Sequence, residues 1–233
     1  AVTEGQACFI MPDTHPCKSF SAVMSKIFIV GLPRTGTTSI SVALLEQGLK
    51  VAHTAFTQHA FTLADALSDA PCFSDYRHLD QLFPNSRFVY LDRPMDKWIP
   101  SMQRLLIKML PQLEPKDGYL NPVLKRSFIS TFELFNNTDP LTHEHLQQCY
   151  RKHQQQIFDY FDDRDNLLKI DIGHRGSLTT LLQWLNLPSA GDTDFPLLNS
   201  GKEVDAWRNY KHPNKVNPNS AGPKQRKFFN YSA

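Results

Sequence analysis

The chain has 233 residues, 41% hydrophobic and 21% charged, with a formal net charge of +2. That length and balance suit one folded domain and exclude a disordered or fibrous chain. No apolar run reaches the roughly 18–20 residues of a membrane span, and four scattered cysteines without a C-x-x-C pair exclude a disulfide framework or a cysteine-built zinc site.

Residues 1–25 show no periodicity and read as an irregular extension. They lack the basic start and apolar block of a secretory leader, so a reducing, cytoplasmic setting is expected. Two glycosylation tripeptides, at Asn136 and Asn230, carry little weight in that setting. Residues 26–31 form a β-branched apolar run ending in glycine, the pattern of a buried parallel strand. A Gly/Pro/Thr loop follows, then a helix over 38–47 that Gly48 stops. Next come a strand over 50–54, a helix over 58–67 and a short strand over 71–75. Residues 86–92 are a further strand, running into Pro94 at a helix start. Trp98, Met102, Leu105, Leu106 and Met109 share one stripe of that helix, which Pro100 should kink or tighten.

A loop over 111–122 precedes a helix over 123–136. The longest helix spans 142–163, with Leu146, Cys149, Tyr150, His153, Ile157, Tyr160 and Phe161 on one face. A last strand over 166–172 and a last helix over 178–187 complete the pattern. Strands alternating with helices predict a single α/β domain over residues 26–200, with a mainly parallel central sheet flanked by helices. Residues 201–233 form a basic tail. Seven lysines and arginines between 202 and 227 face only Glu203 and Asp205, so that segment is +5 and the rest of the chain −3. Such a tail is either a solvated run or a cover for an anionic ligand.

The most informative stretch is Gly31-Leu32-Pro33-Arg34-Thr35-Gly36-Thr37-Thr38-Ser39, between the first strand and the first helix. Glycines let the backbone wrap an anion, the helix N-terminus offers unpaired N–H groups, and three hydroxyls follow. Gly31 and Gly36 have the spacing of an ATP-type phosphate loop, but Thr37 stands where that loop carries lysine. The loop's one cation is Arg34. Asp92, closing an apolar strand, resembles a magnesium-holding aspartate and keeps a kinase or NTPase as the alternative.

The segment from Pro33 to Ser39 resembles the 5′-phosphosulfate loop of sulfotransferases that use 3′-phosphoadenosine 5′-phosphosulfate (PAPS). That family's second element is a strand ending in arginine with a serine eight residues on. Arg93 and Ser101 match it. Residues 167–171 and the helix ending Leu185-Asn186-Leu187-Pro188 resemble the family's last strand and helix. The resemblance covers residues 26–190 and implies a P-loop NTPase-like fold.

The resemblance also implies a PAPS donor, released as 3′-phosphoadenosine 5′-phosphate (PAP), with no metal. It puts Pro33, Arg34, Thr35, Gly36, Thr37, Thr38 and Ser39 on the phosphosulfate. Arg93 and Ser101 would grip the 3′-phosphate, with Gly201 and Lys202 of the tail as further contacts. Arg34 would stabilise the sulfate and the bridging oxygen; as a permanent cation it is a poor proton donor. Family members draw a base from the region after the third strand. Asp75 is expected first, then His53, with His78 and His59 behind. The acceptor is a small molecule or glycan offering a hydroxyl or amine, and no nucleic-acid partner is expected, because the tail's cations are not interleaved with aromatic platforms. A silent PAP-binding protein is the remaining alternative. The acceptor's identity and the oligomeric state stay open.

Overall fold

The computed structural model describes residues 25–188, 191, 193–196, 198 and 206–221. Five strands form one sheet in the order β2-β3-β1-β4-β5, and every neighbouring pair is parallel. The strands are β1 (Ile27–Ile29), β2 (Val51–Ala52), β3 (Ala66–Leu67), β4 (Arg87–Leu91) and β5 (Leu167–Ile170). Helices α1 (Thr37–Glu46), α2 (Gln58–Leu63), α3 (Cys72–Leu82), α4 (Met95–Leu113), α5 (Pro122–Phe132), α6 (His143–Tyr160), α7 (Ser177–Leu185) and the short α8 (Ala206–Asn209) surround it. The expected α/β class with a parallel sheet holds.

Side chains alternate along the two central strands, as the pleat requires. Phe28, Val30, Phe88 and Tyr90 pack with Tyr76, Ile157 and Phe161 on one face. Ile29, Val89 and Leu91 pack with Ile40, Leu44, Leu178 and Leu182 on the other. A third cluster joins Phe73, Trp98, Met102, Phe128, Phe132, Leu146 and Tyr150, the apolar faces of α3 to α6. The stripes read along α4 and α6 are therefore core. Helix α4 continues through both Pro100 and Pro111.

The third strand is not where the sequence placed it. Residues 71–75 lie in α3 and its cap, where Cys72, Phe73, Tyr76 and Leu79 are buried at helical spacing. The strand is Ala66–Leu67, inside the segment expected to be helical. Alanine and leucine favour helices locally, but the slot between β1 and β2 overrides that preference.

Residues 1–24, Gly201 and Lys202 lie outside the described residues. The described part of the basic tail runs along the free edge of β2. There the Val51 N–H donates to the Asn214 carbonyl at 3.0 Å, and the Val216 N–H to the Val51 carbonyl at 2.9 Å. A sheet edge with unpaired backbone groups is thereby covered. Because all strands are parallel, their carboxyl ends gather at one rim. The Pro33–Thr35 loop, His53, Asp69 and Arg93 all follow strands at that rim, the usual place for a ligand in an open α/β sheet.

Candidate active site

The loop after β1 is shaped by close contacts. A Cβ at Gly31 would sit 2.6 Å from Leu91 Cβ, so only glycine lets the loop leave the sheet beside β4. The Thr35 hydroxyl and N–H both donate to the Leu32 carbonyl, at 2.7 and 3.2 Å, closing a turn. Gly36 has φ 113°, and a Cβ there would lie 2.1 Å from Ile172 Cδ1. It caps α1 without a side-chain hydrogen bond, and the helix's first turn carries no acidic residue. The positive end of α1 is thus presented at the rim.

Arg34 is held in the left-handed region, at φ 70°. Its Nε donates to Ser101 Oγ at 3.0 Å, and its carbonyl accepts from the Arg93 guanidinium. The Trp98 indole N–H donates to the Pro33 carbonyl at 2.9 Å, tying the loop to the start of α4. The loop after β1 and the start of α4 are therefore joined through Arg34, Arg93, Trp98 and Ser101. Burial lowers the pKa of Arg34 and of Arg93; Arg93 and Arg104 lower that of Arg34 further against the pull of Asp69, while at Arg93 the pull of Asp171 opposes burial and Arg104 adds to it. This is a crowded positive site suited to an anion.

A cleft of about 140 Å³ opens here, lined by Pro33, Arg34, Gly36, Thr37, Thr38, His53, Asp69, Arg93, Leu105 and Leu198. Thr35 serves the loop's own turn instead, and the Ser39 hydroxyl accepts from the Leu198 N–H at 3.4 Å. His59 on α2 and His78 on α3 are not among the lining residues.

The far wall of the cleft carries two titratable groups. His53 Nδ1 is 2.8 Å from Ser68 Oγ, and its Nε2 is 3.3 Å from Thr38 Oγ1 and 3.9 Å from Asp69 Oδ2. The Trp207 ring lies 5.2 Å from the imidazole. Burial, aided by the charge of Lys215, pushes His53 down to about 4, so the ring is neutral at physiological pH. Asp69 sits at φ 54° with Oδ1 accepting from the Ala70 N–H at 2.8 Å. Burial pushes its carboxyl up to about 7, against the pull of that N–H and of Arg34. A carboxylate balanced near neutrality is the profile of a general base.

Asp75 is elsewhere. It lies on the first turn of α3, is 4% exposed, and accepts two hydrogen bonds from Arg126 of α5, at 3.0 and 2.6 Å. Its expected place at the end of the third strand is taken by Asp69. The signal that would have found Asp69 is Ala66-Leu67-Ser68-Asp69 read as a strand end rather than a helix end. Asp92 is held by the protein itself. It accepts from the Tyr150 hydroxyl at 2.7 Å, the Arg93 N–H at 3.1 Å and Gln154 at 3.3 Å, and pairs with Lys169 at 2.9 Å. Burial raises its pKa, but the bonds from Tyr150 and Lys169 outweigh that and hold the carboxyl below its usual range.

Among the described residues no helix is long and apolar enough to cross a membrane. A family model described as a sulfotransferase domain matches residues 53–204, more than half of the chain. It begins at His53 and runs through Asp69, Arg93 and Ser101; the loop after β1 precedes it. No curated protein matches the chain.

Proposed function

The chain belongs to the sulfotransferase family, and from that premise we propose that it moves a sulfuryl group from PAPS to a hydroxyl or amine of a small-molecule or glycan acceptor. The observation that carries this reading is the meeting of Arg34 with both Arg93 and Ser101 around a capless helix N-terminus. A donor with a phosphosulfate at one end and a 3′-phosphate at the other needs cations at both ends and a backbone cradle between. The donor supplies the activated sulfuryl group; the protein positions the reactants and neutralises charge.

In this reading the α1 N-terminus and the Thr37 and Thr38 hydroxyls hold the phosphosulfate. Arg34 stabilises the charge that develops on the bridging oxygen as the sulfur–oxygen bond breaks. Arg93 and Ser101 hold the 3′-phosphate. Asp69, rather than Asp75, takes the acceptor's proton, because it faces the cleft with a carboxyl poised near neutral pH. His53, bonded to Ser68 and Thr38 and 3.9 Å from Asp69, helps to shape the cleft wall rather than competing with Asp69 as base. Phosphoryl transfer through Asp92 is not carried forward, since its carboxylate is satisfied by Tyr150, Gln154 and Lys169. A cytoplasmic setting stays part of the proposal, supported by the free thiols of Cys72 and Cys149.

Calorimetric titration with PAP, paired with magnesium-ATP, tests the donor. Micromolar or tighter PAP binding without metal, and much weaker ATP binding, is expected. Binding of magnesium-ATP but not PAP would overturn the reading. With PAP bound, failure to transfer to any acceptor in a panel of phenols, alcohols, amines and sugars would favour the silent binding protein. Arg93→Ala should weaken PAP binding far more than binding of adenosine 5′-phosphosulfate, which lacks the 3′-phosphate. Equal losses would remove Arg93 from that role.

A further inference from the structure

On the reading that the cleft holds PAPS, we propose that Arg104 is a third arginine of the donor site, closing on the 3′-phosphate together with Arg93 and Ser101. Arg104 follows Ser101 by three residues on α4, one turn along the same face, where Cβ atoms stand about 5–6 Å apart. Ser101 reaches Arg34, and Leu105, next in the chain after Arg104, lines the cleft. Arg104 therefore shares the α4 face of Ser101 and adjoins Leu105 of the lining, just outside the residues that line the cleft itself.

Two further observations point the same way. The charge of Arg104 is felt at both Arg34 and Arg93, lowering the pKa of each, so the three guanidiniums crowd one region. None of the ion pairs among the described residues involves Arg104. Asp69 offsets part of the charge at Arg34 and Asp171 part of that at Arg93, but three guanidiniums remain together, and a bound anion turns their mutual repulsion into attraction. Arg93 already commits part of its fork to the Arg34 carbonyl, and Ser101 accepts from Arg34 Nε. A terminal phosphate dianion has three peripheral oxygens, more than this pair fills. The exposed fork of Arg104 is suited to take the remaining ones in bidentate fashion.

PAP and adenosine 5′-monophosphate differ only in the 3′-phosphate, so their affinity ratio isolates this contact. Calorimetry at one fixed salt concentration would compare the wild type with Arg104→Ala, Arg104→Lys and Arg93→Ala. Arg104→Ala should bind PAP about tenfold or more weakly, as expected for lost charge-assisted bonds, while monophosphate binding stays unchanged. Arg104→Lys, which keeps the charge but not the fork, should recover part of the loss. PAP affinity within twofold of wild type, or equal losses for both ligands, would overturn the role of Arg104. If Arg93→Ala then still lost its PAP preference, the donor reading would stand without Arg104. A wild type with no preference for PAP would overturn the donor reading and this inference together. Arg104 is exposed, so an unchanged melting temperature is expected in both variants.

Discussion

Asp69 and Asp75 lie six residues apart and face opposite fates. Asp69 leaves the sheet at its carboxyl rim, in a cleft wall with His53 and within the field of Arg34, and its carboxyl is raised to about 7. Asp75 points between α3 and α5 and is clamped by both terminal nitrogens of Arg126. One region leaves a buried carboxyl poorly compensated, the other pairs it fully. The difference teaches that a carboxyl is kept near neutrality by withholding a partner, and that the cost is borne by stability.

The largest expected effect separates the two on turnover. Asp69→Asn should lower sulfuryl transfer by about 10²–10⁴-fold, the range for a lost general base, while PAP affinity changes little. Asp75→Asn should stay within a few-fold of the wild type. PAP formation with an acceptor found by screening measures both, and a matching loss in Asp75→Asn would reverse the assignment.

Stability should respond the opposite way. Arg126→Ala removes the charged partner of a buried carboxylate, leaving the Ser74 hydroxyl at 2.7 Å, and should cost about 2 kcal/mol in urea unfolding, below the figure for a fully buried pair because Arg126 is 46% exposed. Asp69→Asn should raise the melting temperature above pH 7, since it removes a charge that burial disfavours. A melting temperature unchanged in both variants would mean that the two carboxyls do not differ in compensation.

The pH dependence sharpens the same contrast. Asp69 has a folded pKa near 7, above its ordinary value of 3.8, so the folded state binds its proton more tightly. The stability from that proton is complete below about pH 4 and is lost as pH rises to about 7. Transfer should rise over the last part of that window, as the carboxylate form appears. Melting curves of the wild type and Asp69→Asn should diverge in favour of the variant between pH 4 and 7; parallel curves would place Asp69 at an ordinary pKa. The smallest effect is expected at His53. His53→Asn should lower the rate modestly and leave the rise near pH 7 in place, because the imidazole titrates near 4. Loss of that rise in His53→Asn would make histidine the base.

The strand–loop–helix turn after β1 was legible because its signals are local. A β-branched run, two glycines at fixed spacing and a helix start all fall within residues 26–39, and Gly36 is required by its φ of 113° and by Ile172 against it. The apolar stripes of α4 and α6 were legible by period. Ala66–Leu67 was not, since a two-residue strand of helix-favouring residues has no period of its own; only its pairing with β1 and β2 defines it. That slip moved the expected base from Asp69 to Asp75.

The sequence by itself therefore determined the α/β class, the strand–loop–helix turn from Gly31 to Ser39 and the eight-residue spacing of Arg93 and Ser101, because each rests on spacing along the chain. Tertiary structure alone decided which carboxyl faces the cleft, that Arg34 bonds Ser101 across α4, and that Arg104 shares their field. Partners 67 residues apart, as Arg34 and Ser101 are, leave no mark on local pattern. Burial, which sets Asp69 near 7 and His53 near 4, exists only once the sheet, α4 and the C-terminal segment enclose them.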